Sequence, residues 1–120
     1  MGAMGFLYTL EDVHVDGNQA VWDMIKALEW VNSNIGQFYG DTSKITIFGE
    51  SAGGQSVATL LSLIENNGRN NLFSQAIIQS DPWGIPYKTQ AQGNTESEVF
   101  MQELGCTSSQ NGRTEYKVVF

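Results

Sequence analysis

Gly49-Glu50-Ser51-Ala52-Gly53 matches G-x-S-x-G, a pattern that can present a serine as a nucleophile. Chance alone gives such a match in about 4% of chains this long, so the flanking residues must carry the reading. A short run of β-branched and aromatic residues, 45–48 (ITIF), leads into the pattern, and an apolar helical pattern leads out. That is the strand–turn–helix setting of a nucleophile elbow. A serine on so sharp a turn would protrude above the strand ends. Glycine is expected at Gly49 and Gly53 because a Cβ there would strike neighbouring strand or helix backbone. The helix N-terminus would lie beneath Ser51 with free N–H groups, and the Ala52 N–H would be one oxyanion donor. Two plainer readings fit the same turn. It could be a tight packing corner, or an anion nest, although it lacks the lysine of a phosphate loop.

A serine hydroxyl is a poor nucleophile until a base takes its proton. The one histidine, His14, lies before Ser51 in a polar stretch. Elbow hydrolases order their partners as serine, acid, histidine, so His14 is not expected to be the base. Glu50 adjoins Ser51 and must point away from it on a tight turn; it is expected to be a structural, hydrogen-bonding carboxylate. Cys106 is the only cysteine. It forms no intrachain disulfide and no metal cage with a single histidine, so neither a metal nor a cofactor is expected.

The elements around the turn follow from periodicity. Met24, Leu28, Val31, Ile35 and Phe38 recur at steps of four and three, which predicts a helix with one apolar face, Asn18 as its N-cap and Gly36 with Gly40 at its exit. The run 45–48 is apolar apart from Thr46, so it reads as a strand buried on both faces. After the turn, Val57, Leu60, Leu61 and Ile64 predict a second helix ending at 66–68. Residues 76–78, extended by Gln79, read as the next strand, parallel to the first because a helical crossover joins them. Two parallel strands with open edges need further strands or covering helices to be stable. Val99, Phe100 and Leu104 suggest a third, shorter helix, and 2–9 is too glycine-rich to read as a strand. The stretch 11–18 reads as a loop.

Composition narrows the partners. The 120 residues include 6 basic and 13 acidic side chains, for a formal charge of −7. Without a basic cluster this argues against nucleic acid and anionic membrane surfaces. A hydrophobic share of 41% is enough for a packed core. No apolar run approaches the roughly 18 residues that cross a bilayer. The first ten residues show no basic n-region, and no N-x-[ST] sequon occurs, so the cellular location stays open.

At this level of detail the chain resembles a known family. VWDMIKALEWVNSNIGQFYGDTSKITIFGESAGGQSVATLLSL, followed by LFSQAIIQSDPWGIP, resembles the type B carboxylesterases, the group that includes the cholinesterases. GAMGFL resembles the segment after a central strand of that family. Gly17 and Asn18, with Asp23, resemble its GN-x-G-x-x-D stretch. The resemblance covers 2–106 and is densest over 28–80. It departs at Ala20, where glycine is common, at Met24, where glutamine is common, and at Asp81. It implies an α/β-hydrolase fold and ester cleavage by a Ser-Glu-His triad. Ser51 would be the nucleophile, Ala52 would give an oxyanion N–H, and Trp83 would border the acyl pocket. Cys106 would match a cysteine that the family pairs with one further on. The implied partner is a small-molecule ester.

The expected architecture is therefore α/β, a fragment of the α/β-hydrolase fold running helix, strand, elbow, helix, parallel strand, helix. Residues 1–106 would be a partial carboxylesterase domain and 107–120 an unrelated or disordered tail. The triad acid, the triad histidine and the main oxyanion loop are expected in segments these 120 residues do not include. Two rivals stand beside the esterase reading: a catalytically inert truncated product, and a non-enzymatic esterase-like interaction domain. Domains of the latter kind commonly lack the elbow serine, which this chain has.

Overall fold

A computed structural model describes residues 2–9, 15–67, 72–110 and 113–116. His14 lies outside them, as do the Gly68 helix stop and the tail residues Asn111, Gly112 and 118–120. The chain forms two compact units, one from 1–20 with 87–120 and one from 21–86.

In the first unit, β1 (Tyr8–Thr9) pairs antiparallel with β2 (Val15–Asp16). The glycine-rich start thus supports a strand after all, and part of the expected 11–18 loop is its partner. Val15 N–H donates to Thr9 Oγ1 at 3.0 Å, which seats the fully buried Thr9 hydroxyl on a backbone partner.

The helix α1 (Gln19–Asn34) follows. Asn18 precedes it with φ 58°, left-handed backbone in place of the extended backbone an N-cap adopts. In the second unit α1 ends in a single 3₁₀ turn, Ile35–Phe38, closed by left-handed Tyr39. The left-handed stop is therefore Tyr39, between the two glycines expected there. Phe38 is exposed. A second 3₁₀ turn, Thr42–Lys44, is capped by Asp41, whose carboxylate accepts from Ser43 N–H at 2.9 Å.

β3 (Thr46–Glu50), α2 (Ala52–Asn67) and β4 (Gln75–Gln79) then form a strand–helix–strand unit. The two strands are parallel, with Thr46 opposite Gln75 and Glu50 opposite Gln79. Helix α2 packs on both. Val57 and Leu60 are buried, at 4% and 5% exposure, which contributes about 1.5–3 kcal/mol each.

The strands are not buried on both faces. Each alternates exposed and half-buried positions along its length. Ile47, Gly49, Ala76 and Ile78 are half-buried, whereas Phe48 and Ile77 are exposed. A run of apolar residues marks a strand that could be covered twice. Here α2 packs on the pair, and the outward-turned apolar side chains stay open.

α3 (Gln90–Glu103) starts with a capping box between Thr89 and Gln92. It belongs to the first unit and packs against β1, where Tyr8 N–H donates to Ser97 Oγ at 3.0 Å. Its buried residues are Ser97 and Met101, four apart. Val99 and Leu104, two of the residues that suggest this helix in the sequence, are exposed. Beyond it, β5 (Thr107–Gln110) and β6 (Arg113–Tyr116) pair antiparallel. Among the described residues, no helix is long and apolar enough to cross a membrane.

Candidate active site

Ser51 is the single residue between the end of β3 and the start of α2. Its φ is 55°, a region where a Cβ crowds the following carbonyl and which non-glycine residues rarely enter. The side chain is exposed. Its backbone serves both neighbours. Ser51 N–H donates to the Gln79 carbonyl at 2.9 Å, and the Ser51 carbonyl accepts from Gln55 N–H at 3.0 Å. That second bond is the first rung of α2. The Ala52 N–H precedes the rung, so it is one of the helix's unpaired N-terminal donors.

The two motif glycines differ. A Cβ on Gly49 would overlap the carbonyl of Gly53, so the expected crowding is there. A Cβ on Gly53 would meet nothing within 4 Å. The expected collision at Gly53 is absent because its Cβ direction opens into a groove of about 290 Å³. Met24 and Leu28 of α1, Ile47 and Phe48 of β3, and Val57 of α2 are among its walls. The sequence reading passed over Gly54, where a Cβ would lie 2.7 Å from the Gln79 carbonyl oxygen. A signal was available: two successive glycines in the first turn of a helix lower its propensity by about 1 kcal/mol each relative to alanine, so they call for a steric reason.

The remaining candidates lie in different places. Glu50 ends β3, is exposed, and its carboxylate has no hydrogen bond among the described residues; the expected hydrogen-bonding role is not seen. Trp83 is 78% exposed in the loop after β4. Ser80, at the end of β4, also has positive φ, 52°. Cys106 follows α3 as a free, half-buried thiol. Among the described residues, no group of three or more His, Cys, Asp or Glu side chains could hold a metal ion.

The family model of the carboxylesterases matches residues 1–118. The chain belongs to the carboxylesterase family. This carboxylesterase-family chain is 47% identical over 87 residues to "Carboxylesterase 5A" of Homo sapiens, covering 72% of this chain and 14% of that protein. It is 42% identical over 89 residues to "Probable N-octanoylanthranilate hydrolase AqdA2" of Rhodococcus erythropolis, covering 74% and 19%. It is 38% identical over 112 residues to "Para-nitrobenzyl esterase" of Bacillus subtilis (strain 168), covering 92% and 22%. The chain thus spans only 14% to 22% of the length of these three curated relatives.

Proposed function

We propose that this chain carries the nucleophile of a serine carboxylic ester hydrolase acting on a small-molecule ester. Ser51 Oγ attacks the ester carbonyl carbon. The C=O π pair moves to oxygen, and the Ala52 N–H donates to the oxyanion so formed. The serine proton goes to a base, which returns it to the departing alkoxide, leaving an acyl-serine for water to cleave. Gly49 and Gly53 complete the elbow pattern. The base is a histidine that family resemblance puts downstream of Ser51, with a glutamate between. That membership implies the α/β-hydrolase fold, and the elements from α1 to α3 would form one part of it.

One observation carries the reading. Ser51 is an exposed serine with left-handed backbone, standing alone between a parallel strand and the N-terminus of a helix. Its hydroxyl has no hydrogen-bond partner among the described residues. Backbone strain at an exposed polar residue is a common mark of a functional site.

The test is a chimera. The matching segment of the Bacillus para-nitrobenzyl esterase is replaced by the aligned residues of this chain, and p-nitrophenyl acetate hydrolysis is followed. The folded chimera hydrolyses the ester, and Ser51→Ala lowers kcat by at least about 10³-fold. The 120-residue chain alone hydrolyses it no faster than its own Ser51→Ala variant. A folded chimera whose activity is indifferent to Ser51→Ala, or absent, rejects the proposal.

A further inference from the structure

Building on that reading of Ser51, we propose that Gly54, outside the G-x-S-x-G pattern, is the positioning residue that holds the elbow in place, and that Gly53, inside the pattern, is not. Gly54 acts through one atom, the carbonyl oxygen of Gln79. That oxygen accepts the Ser51 N–H at 2.9 Å. It is also the nearest atom to a Cβ built on Gly54, at 2.7 Å. Carbon–oxygen contacts that close do not persist, and the partner is strand backbone, which has no free end to swing aside. The same Cβ would lie 3.5 Å from the N and Cα of Asp81, so a retreat toward the following loop is closed too.

Three facts link this contact to Ser51. Glu50 and Gln79 are opposite in the parallel register, so the oxygen lies beside the residue before the serine. Ser51 at φ 55° is intrinsically unfavourable and persists only where its surroundings over-determine it. Its N–H bond to Gln79 is one such restraint. A side chain at position 54 would push the α2 N-terminus away from β4 and stretch that bond. The Ala52 N–H is one peptide beyond Ser51 and turns with it. Position 53 has no such lever, because the space before it is open. Helix propensity would favour alanine at both positions alike, so sterics separate them.

The experiment is amide hydrogen exchange of Ser51 in the isotopically labelled 120-residue chain, referenced to the Leu60 amide within α2. Reference to Leu60 separates a local loosening of the elbow from loss of the whole fold. Gly53→Ala leaves the Ser51:Leu60 ratio within about twofold, and Gly54→Ala raises it about tenfold or more. Trimethylamine oxide in the buffer favours the compact state and keeps the weaker variant folded. If Gly54→Ala does not fold even there, Ser51→Gly in the same chain restores folding, because glycine at 51 accepts the altered turn. The proposal is overturned if Gly54→Ala leaves the ratio unchanged, if Gly53→Ala raises it equally, or if Ser51→Gly fails to rescue an unfolded Gly54→Ala. The readout does not depend on whether Ser51 reacts with esters, so a failed esterase test and a failed positioning test are distinct results.

Discussion

Phe48 and Ile77 stand opposite one another in the parallel register of β3 and β4, and both turn outward, 76% and 52% exposed. Adjacent apolar side chains on a bare sheet face mark a sticky surface. Phe48→Thr keeps a β-branched residue that suits a strand. It is expected to change unfolding free energy by no more than about 0.5 kcal/mol, as exposed sites do, while raising the soluble fraction and lowering fluorescence of bound ANS. Denaturant unfolding together with ANS titration checks both. A loss well above that value would mean Phe48 is packed.

Leu60, in α2, is buried at 5% exposure. Leu60→Ala removes buried methyl groups and leaves a cavity, which costs about 2–5 kcal/mol. The urea midpoint is expected to fall sharply, in contrast to Phe48→Thr. Equal midpoints for the two variants would place the core elsewhere.

Ser51 and Ser80 both carry left-handed backbone, at φ 55° and 52°, at the ends of the neighbouring strands. Glycine enters that region without steric cost. Ser51→Gly and Ser80→Gly are therefore each expected to stabilise the chain by about 0.5–1 kcal/mol, after the extra entropy glycine gives the unfolded state. Ser51→Val should destabilise, since a β-branched side chain fits that region worst. Chemical denaturation of the three variants checks the order. A Ser51→Gly variant less stable than the parent would show that the serine side chain, and not its strain, dominates.

Much of this was legible in the residues. The step pattern of Met24, Leu28 and Val31 predicts α1, the β-branched run predicts β3, and the crossover logic predicts its parallel partner. The sharp strand-to-helix turn at Ser51 could be read because Gly49 and Ser51 are local and answer to backbone geometry. Burial was misjudged at Phe48, because a sequence tells how apolar a strand is and not which other elements reach it. Helix α3 shows the same limit: Val99 and Met101 are both apolar, and only how the helix packs decides that Met101 goes in. Gly54 was overlooked because its contact, the Gln79 carbonyl, is 25 residues away in sequence (79 − 54). Periodicity has no access to such a pair.

Among the described residues, Asp41 carries the clearest acid-range effect. Its carboxylate accepts from the Ser43 hydroxyl at 2.6 Å and the Ser43 N–H at 2.9 Å, and pairs with Lys44 at 3.2 Å. These contacts hold its pKa below the ordinary 3.8, the Ser43 hydroxyl most of all. A lowered pKa means the folded chain binds this proton less tightly than the unfolded one. Whatever Asp41 contributes to stability is thus fully present above about pH 3.8 and fades as pH falls through its lower folded value. Ser43→Ala removes the hydroxyl and keeps the backbone N–H and Lys44. Carbon-detected NMR titration should place the Asp41 midpoint below 3.8 in the parent and closer to it, though still lower, in Ser43→Ala. Asp41→Asn should flatten this part of the acid limb of a stability profile, because no proton binds there in either state. An Asp41 midpoint that Ser43→Ala leaves in place would assign the shift to Lys44 and the cap N–H instead.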